Sequence, residues 1–98
     1  MNLFILLNIN LDIMSWSLKN DKLVKEFKVD KFSTIINNLN KLSLVADEQN
    51  HHPDFNVFGY NKILFELSTH DANSVTEKDY SLAKSIDLIF QDKTASSQ

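Results

Sequence analysis

Between Phe32 and Ala46 the apolar residues Phe32, Ile35, Ile36, Leu39, Leu42, Val45 and Ala46 fall at the spacing that gathers one face of an α-helix. On either side of this stripe the period drops to two. Before it, Trp16 and Leu18 alternate with Ser15, Ser17 and Lys19, and Leu23, Lys25, Phe27 and Val29 share one face. After it, Ile63, Phe65, Leu67 and Thr69 alternate with Leu64, Glu66, Ser68 and His70. A period that runs two, then 3.6, then two again predicts strands on both sides of an amphipathic helix over residues 31–48.

Turn and cap residues fill in the connections. Asn20-Asp21 tolerates positive φ and predicts a two-residue hairpin. Asp30 stands where an N-cap is wanted, with Asn37, Asn38, Asn40 and Lys41 on the polar face of the helix that follows. Pro53 ends any preceding helix and drives His52 toward extended geometry. Phe55 to Phe58 reads as a strand, and Gly59, the only glycine, marks a bulge or turn after it. Thr76-Glu77-Lys78-Asp79 resembles a capping box with Asp in place of Glu, opening a helix with Leu82, Ala83, Ile86, Ile89 and Phe90 on its apolar face. The order strand, strand, helix, strand, strand, helix predicts an α+β fold: a four-stranded antiparallel sheet with two or three helices packed on one face.

Length and composition bound what such a fold can do. At 98 residues the chain reads as one domain, with residues 1–13 a divergent N-terminal segment and the tail 91–98 low in core potential and expected to fray. Hydrophobic content of 43% and charged content of 23% are those of an ordinary globular domain. The net charge of −3 offers no general attraction to nucleic acid or anionic membrane. All ten cations are lysines, so the forked donor suited to phosphate or guanine is missing. Direct nucleic-acid binding is therefore disfavoured. Cysteine is absent, which excludes disulfides, thiolate nucleophiles and zinc–thiolate sites and fits a cytoplasmic location. Leu3 to Leu7 is apolar but far too short to span a bilayer. It also lacks the basic flank and cleavage site of a signal peptide, so a packed first element is preferred there, with a signal peptide the lesser alternative.

The chemistry concentrates in one window. The three histidines are His51, His52 and His70, accompanied by Asp47, Glu48, Tyr60 and Asp79. Histidine exchanges protons near neutral pH, so three of them among carboxylates suggest acid–base catalysis or a metal site. In extended backbone His51 and His52 point to opposite sides and share a pocket only if the chain turns. His70 is expected at a strand end, on the face opposite Ile63, Phe65 and Leu67. The plainer reading of each histidine alone is a polar turn and an exposed strand end. A zinc site from the three histidines and Asp47 lacks the helical His-x-x-x-His pair and ranks below acid–base chemistry. Trp16 reads as a packing anchor, and lysines 19, 22, 25 and 28 as a solvated face.

Taken together, the window resembles the pterin-4a-carbinolamine dehydratases. Their hallmark reads here as Asp47, three residues, His51-His52-Pro53, six residues to Tyr60, nine to His70 and eight to Asp79. Tyr60-Asn61-Lys62, Leu67-Ser68-Thr69-His70, Trp16 and Phe27-Lys28-Val29-Asp30-Lys31-Phe32 match neighbouring family words, so the likeness covers about residues 14–90. Asp47 is a methylene shorter than the common Glu, and the loop at Val57-Phe58-Gly59 is one residue longer than in some members. Ser74 replaces the glycine after the third histidine, with Asn73 placed to supply the unusual dihedral. The N-terminal dozen residues do not resemble the family's first helix. The resemblance implies dehydration of 4a-hydroxytetrahydrobiopterin in tetrahydrobiopterin recycling, with no metal or redox cofactor. It implies proton transfer by His51 and His70 and pterin holding by His52, with Asp47 orienting a histidine. Pro53, Tyr60, Ser68, Thr69 and Asp79 would support the site or contact substrate. It also implies a homodimer or homotetramer, and, as an alternative, a non-enzymatic dimerisation cofactor of a transcription factor.

Overall fold

The structure is a computed structural model that describes residues 15–96, with side chains described through Phe90. The readings of residues 1–13 therefore lie outside the described residues. Strands β1 (Ser17–Lys19) and β2 (Lys22–Lys28) lead into helix α1 (Phe32–Gln49), followed by β3 (Asp54–Phe58), β4 (Lys62–Leu67) and helix α2 (Glu77–Ser96). The four strands form one antiparallel sheet in the order β1-β2-β4-β3. This is the α+β fold expected from the period changes.

The turns behave as their residues dictate. Lys19 pairs with Lys22 across Asn20 and Asp21, whose φ angles are 51° and 62°. That is the two-residue hairpin whose turn requires positive φ at both positions. Between β3 and β4, Gly59 and Tyr60 both take φ 57°. The buried Asn61 closes that loop by tying its carbonyl to Val29 N at 2.9 Å and its amide to Val29 O at 3.3 Å. Helix α2 runs as backbone to Ser96, into the stretch of low core potential.

The helices lie on the face of the sheet that carries Leu23, Phe27, Ile63, Phe65 and Leu67. Their own Ile35, Leu42, Leu82, Ala83, Ile86 and Phe90 complete the core with Trp16. Phe27, Phe65 and Phe90 meet edge-on or tilted at centroid separations of 5.2–6.0 Å, geometry that adds roughly 0.5–1.5 kcal/mol per pair beyond area burial.

Four expectations are corrected. Asp30 is not the N-cap: Lys31, in extended backbone, holds that position without a side-chain cap, and Asp30 instead accepts the Thr34 hydroxyl at 2.6 Å. That hydrogen bond holds the Asp30 carboxyl below its ordinary range. Asn38 is not on the polar face but buried beside Thr34 and Ile35, and its Nδ2 lacks a partner. The buried face has rotated toward these residues, leaving Phe32 and Ile36 exposed on its flank. β4 stops at Leu67, because the chain folds back after it and Thr69 pairs with Ser74. His70 therefore opens a turn rather than ending a strand. Asn73, at φ 57°, supplies the left-handed residue of that turn, as its type suggested.

The fourth correction concerns Lys25, which does not belong to a solvated lysine face. Period two places it between Leu23 and Phe27 on the inner face, where it meets the buried Asp87 of α2 at 2.8 Å. Its ammonium also sits 4.7 Å from the Phe27 ring centroid and donates to Ser15 Oγ at 2.7 Å. Trp16 Nε1 donates to the same Asp87 carboxylate at 3.1 Å. A charge left alone in such a place is costly, whereas a well-packed apolar replacement of both partners is not. Asp87→Ala is expected to lower unfolding free energy by about 3–5 kcal/mol. The Lys25→Met/Asp87→Leu double variant should recover part of that loss in urea melts, the remainder reflecting the Trp16 Nε1 donor left without its acceptor.

Candidate active site

The end of α1 delivers His51 and His52. Asn50 adopts φ 54°, ψ 42°, and the amides of Asn50 and His51 return to the carbonyls of Asp47 and Ala46, both at 3.1 Å. This is a Schellman closure with asparagine standing where glycine is usual. It supplies the turn that two adjacent histidines need to serve one place. From it His51 points inward to α2 and His52 back along α1.

His51 Nε2 lies 2.7 Å from Asp79 Oδ1, with the His51 side chain 12% exposed and Asp79 wholly buried. Asp79 is three residues beyond Thr76, and its Oδ2 accepts the Thr76 amide at 2.9 Å, which closes the anticipated capping box. The same oxygen accepts the Thr69 hydroxyl at 2.8 Å. One carboxylate thus joins the start of α2, the chain after β4 and the first histidine. His52 Nε2 meets Asp47 Oδ1 at 2.8 Å, but those side chains are 59% and 73% exposed. An ion pair that open to water contributes little to stability.

His51, His52, Pro53, Ser68, Thr69 and His70 line one cleft of about 370 Å³, within the range of small-ligand sites. The fold therefore brings all three histidines together, two from the α1 end and one from the turn after β4. Asp79 stands behind His51, and Asp47 beside His52. Tyr60 is set apart: it is 65% exposed in the β3–β4 turn and does not line the cleft. Asn50, Asp54, Asp71 and Lys78 also line it, and none was singled out from the sequence. Lys78 carried the nearest thing to a signal, a cation in the first turn of α2, where the helix dipole disfavours it. Among the described residues no three His, Asp or Glu side chains gather in a group able to hold a metal ion. None of the described helices is long and apolar enough to cross a membrane.

Comparison with known proteins gives a consistent result. The family model described as pterin 4 alpha carbinolamine dehydratase matches residues 6–89. A protein of Sulfolobus acidocaldarius, named provisionally as a pterin-4-alpha-carbinolamine dehydratase, is 46% identical over 78 residues, covering 80% of this chain and 85% of its own. A Chloroflexus aurantiacus protein with the same provisional name is 39% identical over 74 residues, covering 76% and 78%. The crystal structure of a transcriptional coactivator/pterin dehydratase from Brucella melitensis superposes with a TM-score of 0.76 at 25% identity, covering 92% of this chain and 97% of that one. A pterin dehydratase-like RuBisCO assembly factor of the alpha-carboxysome shares the fold, with a TM-score of 0.61 at 21% identity, over 76% and 84% of the two chains.

The two carboxylates should respond differently to truncation. Asp79→Ala removes a cap and strands the Thr69 hydroxyl and Thr76 amide, a loss of about 2–4 kcal/mol in denaturant melts. Asp47→Ala is expected to change the same melts by less than about 1 kcal/mol.

Proposed function

The chain belongs to the pterin 4 alpha carbinolamine dehydratase family, and on that premise we propose that it removes water from a 4a-hydroxytetrahydropterin to give the quinonoid dihydropterin. The observation that carries this reading is the convergence of His51, His52 and His70 on one cleft. Hydroxide leaves poorly, so the C4a–O bond breaks as an acid protonates the oxygen. N5 gives its proton to a base as the N5–C4a double bond forms. One proton is donated and one is taken, so the enzyme ends each turnover with its proton count unchanged. Imidazoles suit both tasks near neutral pH.

In this proposal His51 and His70 move the protons and His52 holds the pterin. Asp79 behind His51 and Asp47 beside His52 orient the rings. Ser68 and Pro53 supply wall and polar contacts, and Thr69 supports the site through Asp79. Tetrahydrobiopterin recycling in the cytoplasm is the corresponding cellular role. Self-association belongs to the same proposal. Its support is the exposed Phe32 and Ile36 flank of α1 and the open edge of β3, either of which a second copy would cover.

The second reading is a binding role without turnover, favoured by the coactivator part of the Brucella neighbour's name. Formation of quinonoid product from chemically generated 4a-hydroxytetrahydropterin separates the two, since a pure binding protein leaves the spontaneous rate unchanged.

If the dehydratase reading holds, His51→Ala and His70→Ala each lower kcat by about 10²–10⁴-fold. Near-normal turnover in both variants would remove them from the chemistry. The pH–rate profile is expected to bend at least once between about pH 5 and 8, and a flat profile there contradicts imidazole catalysis. Exhaustive chelation should leave the rate unaltered; its loss would point to a metal-dependent reaction instead.

A further inference from the structure

The capping box contains more than a cap. An ionised carboxylate only accepts hydrogen bonds, so Thr69 Oγ1 is the donor to Asp79 Oδ2. With that hydrogen committed, Thr69 Oγ1 must accept in its 2.7 Å contact with Thr76 Oγ1, which makes Thr76 the donor. Thr76 Oγ1 accepts in turn from the Lys78 backbone N–H at 3.3 Å. Every hydrogen from Lys78 through Thr76 and Thr69 therefore points toward Oδ2, where the Thr76 amide adds a second donor. Oδ1 is left to face His51 Nε2 as an acceptor. The proton between the two side chains consequently lies on Nε2, and in the neutral ring the lone pair lies on Nδ1. That atom makes no hydrogen bond among the described residues. Nor is it shut away, because Asn38 Nδ2 is the buried side-chain nitrogen without a partner there.

We propose that Asp79, held as an acceptor by the Thr69 hydroxyl and the Thr76 amide, locks His51 in the Nε2–H tautomer, so that Nδ1 is its proton-accepting atom toward the pterin. Thr69, Thr76 and Asp79 are positioning residues that act through His51. The geometry stands by itself, but its consequence for turnover rests on the dehydratase reading.

Ring nitrogen–proton correlation on the ¹⁵N-labelled full chain, at a pH where His51 is neutral, reads the tautomer directly. The expected spectrum shows Nε2 protonated and Nδ1 with the shift of an unprotonated nitrogen. A proton on Nδ1 overturns the proposal. Thr69→Val takes a donor away from Oδ2, which frees the carboxyl to turn or to carry a proton toward Nε2, and should admit the second tautomer and lower kcat by about three- to tenfold with KM held. Thr69→Ser should restore both readouts. A pure Nε2–H spectrum in Thr69→Val overturns the part given to that threonine. Asp79→Asn is the stronger inversion. Its amide oxygen would take the threonine-side donors and its NH₂ would point at Nε2, moving the ring proton to Nδ1 and cutting kcat by about 10²-fold or more. Should that variant not fold, the valine and serine variants carry the test. A wild-type protein with the Nε2–H ring but no turnover would sustain the lock and remove the dehydratase reading.

Discussion

The hydrogen bonding of Asp79 ties the architecture to the histidine cleft. A fully buried carboxylate is costly to desolvate unless its oxygens are satisfied. Here they are met by Thr69, Thr76 and His51, which come from three separate stretches of chain. Withdrawing any one of them leaves buried polar atoms unpaired, so helix start, post-strand turn and histidine are set together. The contrast with the solvated Asp47–His52 pair is instructive. Both pairs place a carboxylate within 2.8 Å of an imidazole, but only the buried one constrains the fold.

Around that point the fold acts as a positioning frame. The Schellman closure at Asn50 turns adjacent histidines into one cleft, and the Thr69–Ser74 return brings the third to it. Both are local backbone devices that depend on residues tolerant of positive φ, Asn50 in the first and Asn73 in the second. The cleft is therefore built at the ends of elements, where backbone can bend, while the sheet interior, apart from the Lys25–Asp87 pair, remains aliphatic and aromatic.

Much of this was readable from residue order. Period two and period 3.6 located the strands and helices, Asn20-Asp21 located a hairpin, and Thr76 to Asp79 located a cap. The histidine spacing carried the family resemblance. What escaped was tertiary in origin. Period two put Lys25 on the Leu23–Phe27 face, but its partner there, the distant Asp87, was not legible. Asn38 reads as polar surface because sequence spacing cannot tell which side of a wide apolar stripe will turn inward. Asp79 was legible as a helix-start residue, since one of its oxygens does serve the cap. Its second oxygen faces a residue 28 positions earlier in the chain. The tie from the Thr76 hydroxyl to Thr69 stayed hidden for the same reason, because it crosses a turn.

Helix α2 is gripped twice, by Lys25 and Trp16 at Asp87 and by the threonine–histidine cluster at Asp79. Eight residues separate the two grips, about 12 Å of helix. The helix is thus pinned near its start and again at its middle, two points that together oppose rolling or sliding along its axis. Inserting or deleting a single residue between Asp79 and Asp87 would swing one carboxylate about 100° around the axis relative to the other. Spacing between these two aspartates is thus a stricter requirement than the identity of the exposed side chains lying between them.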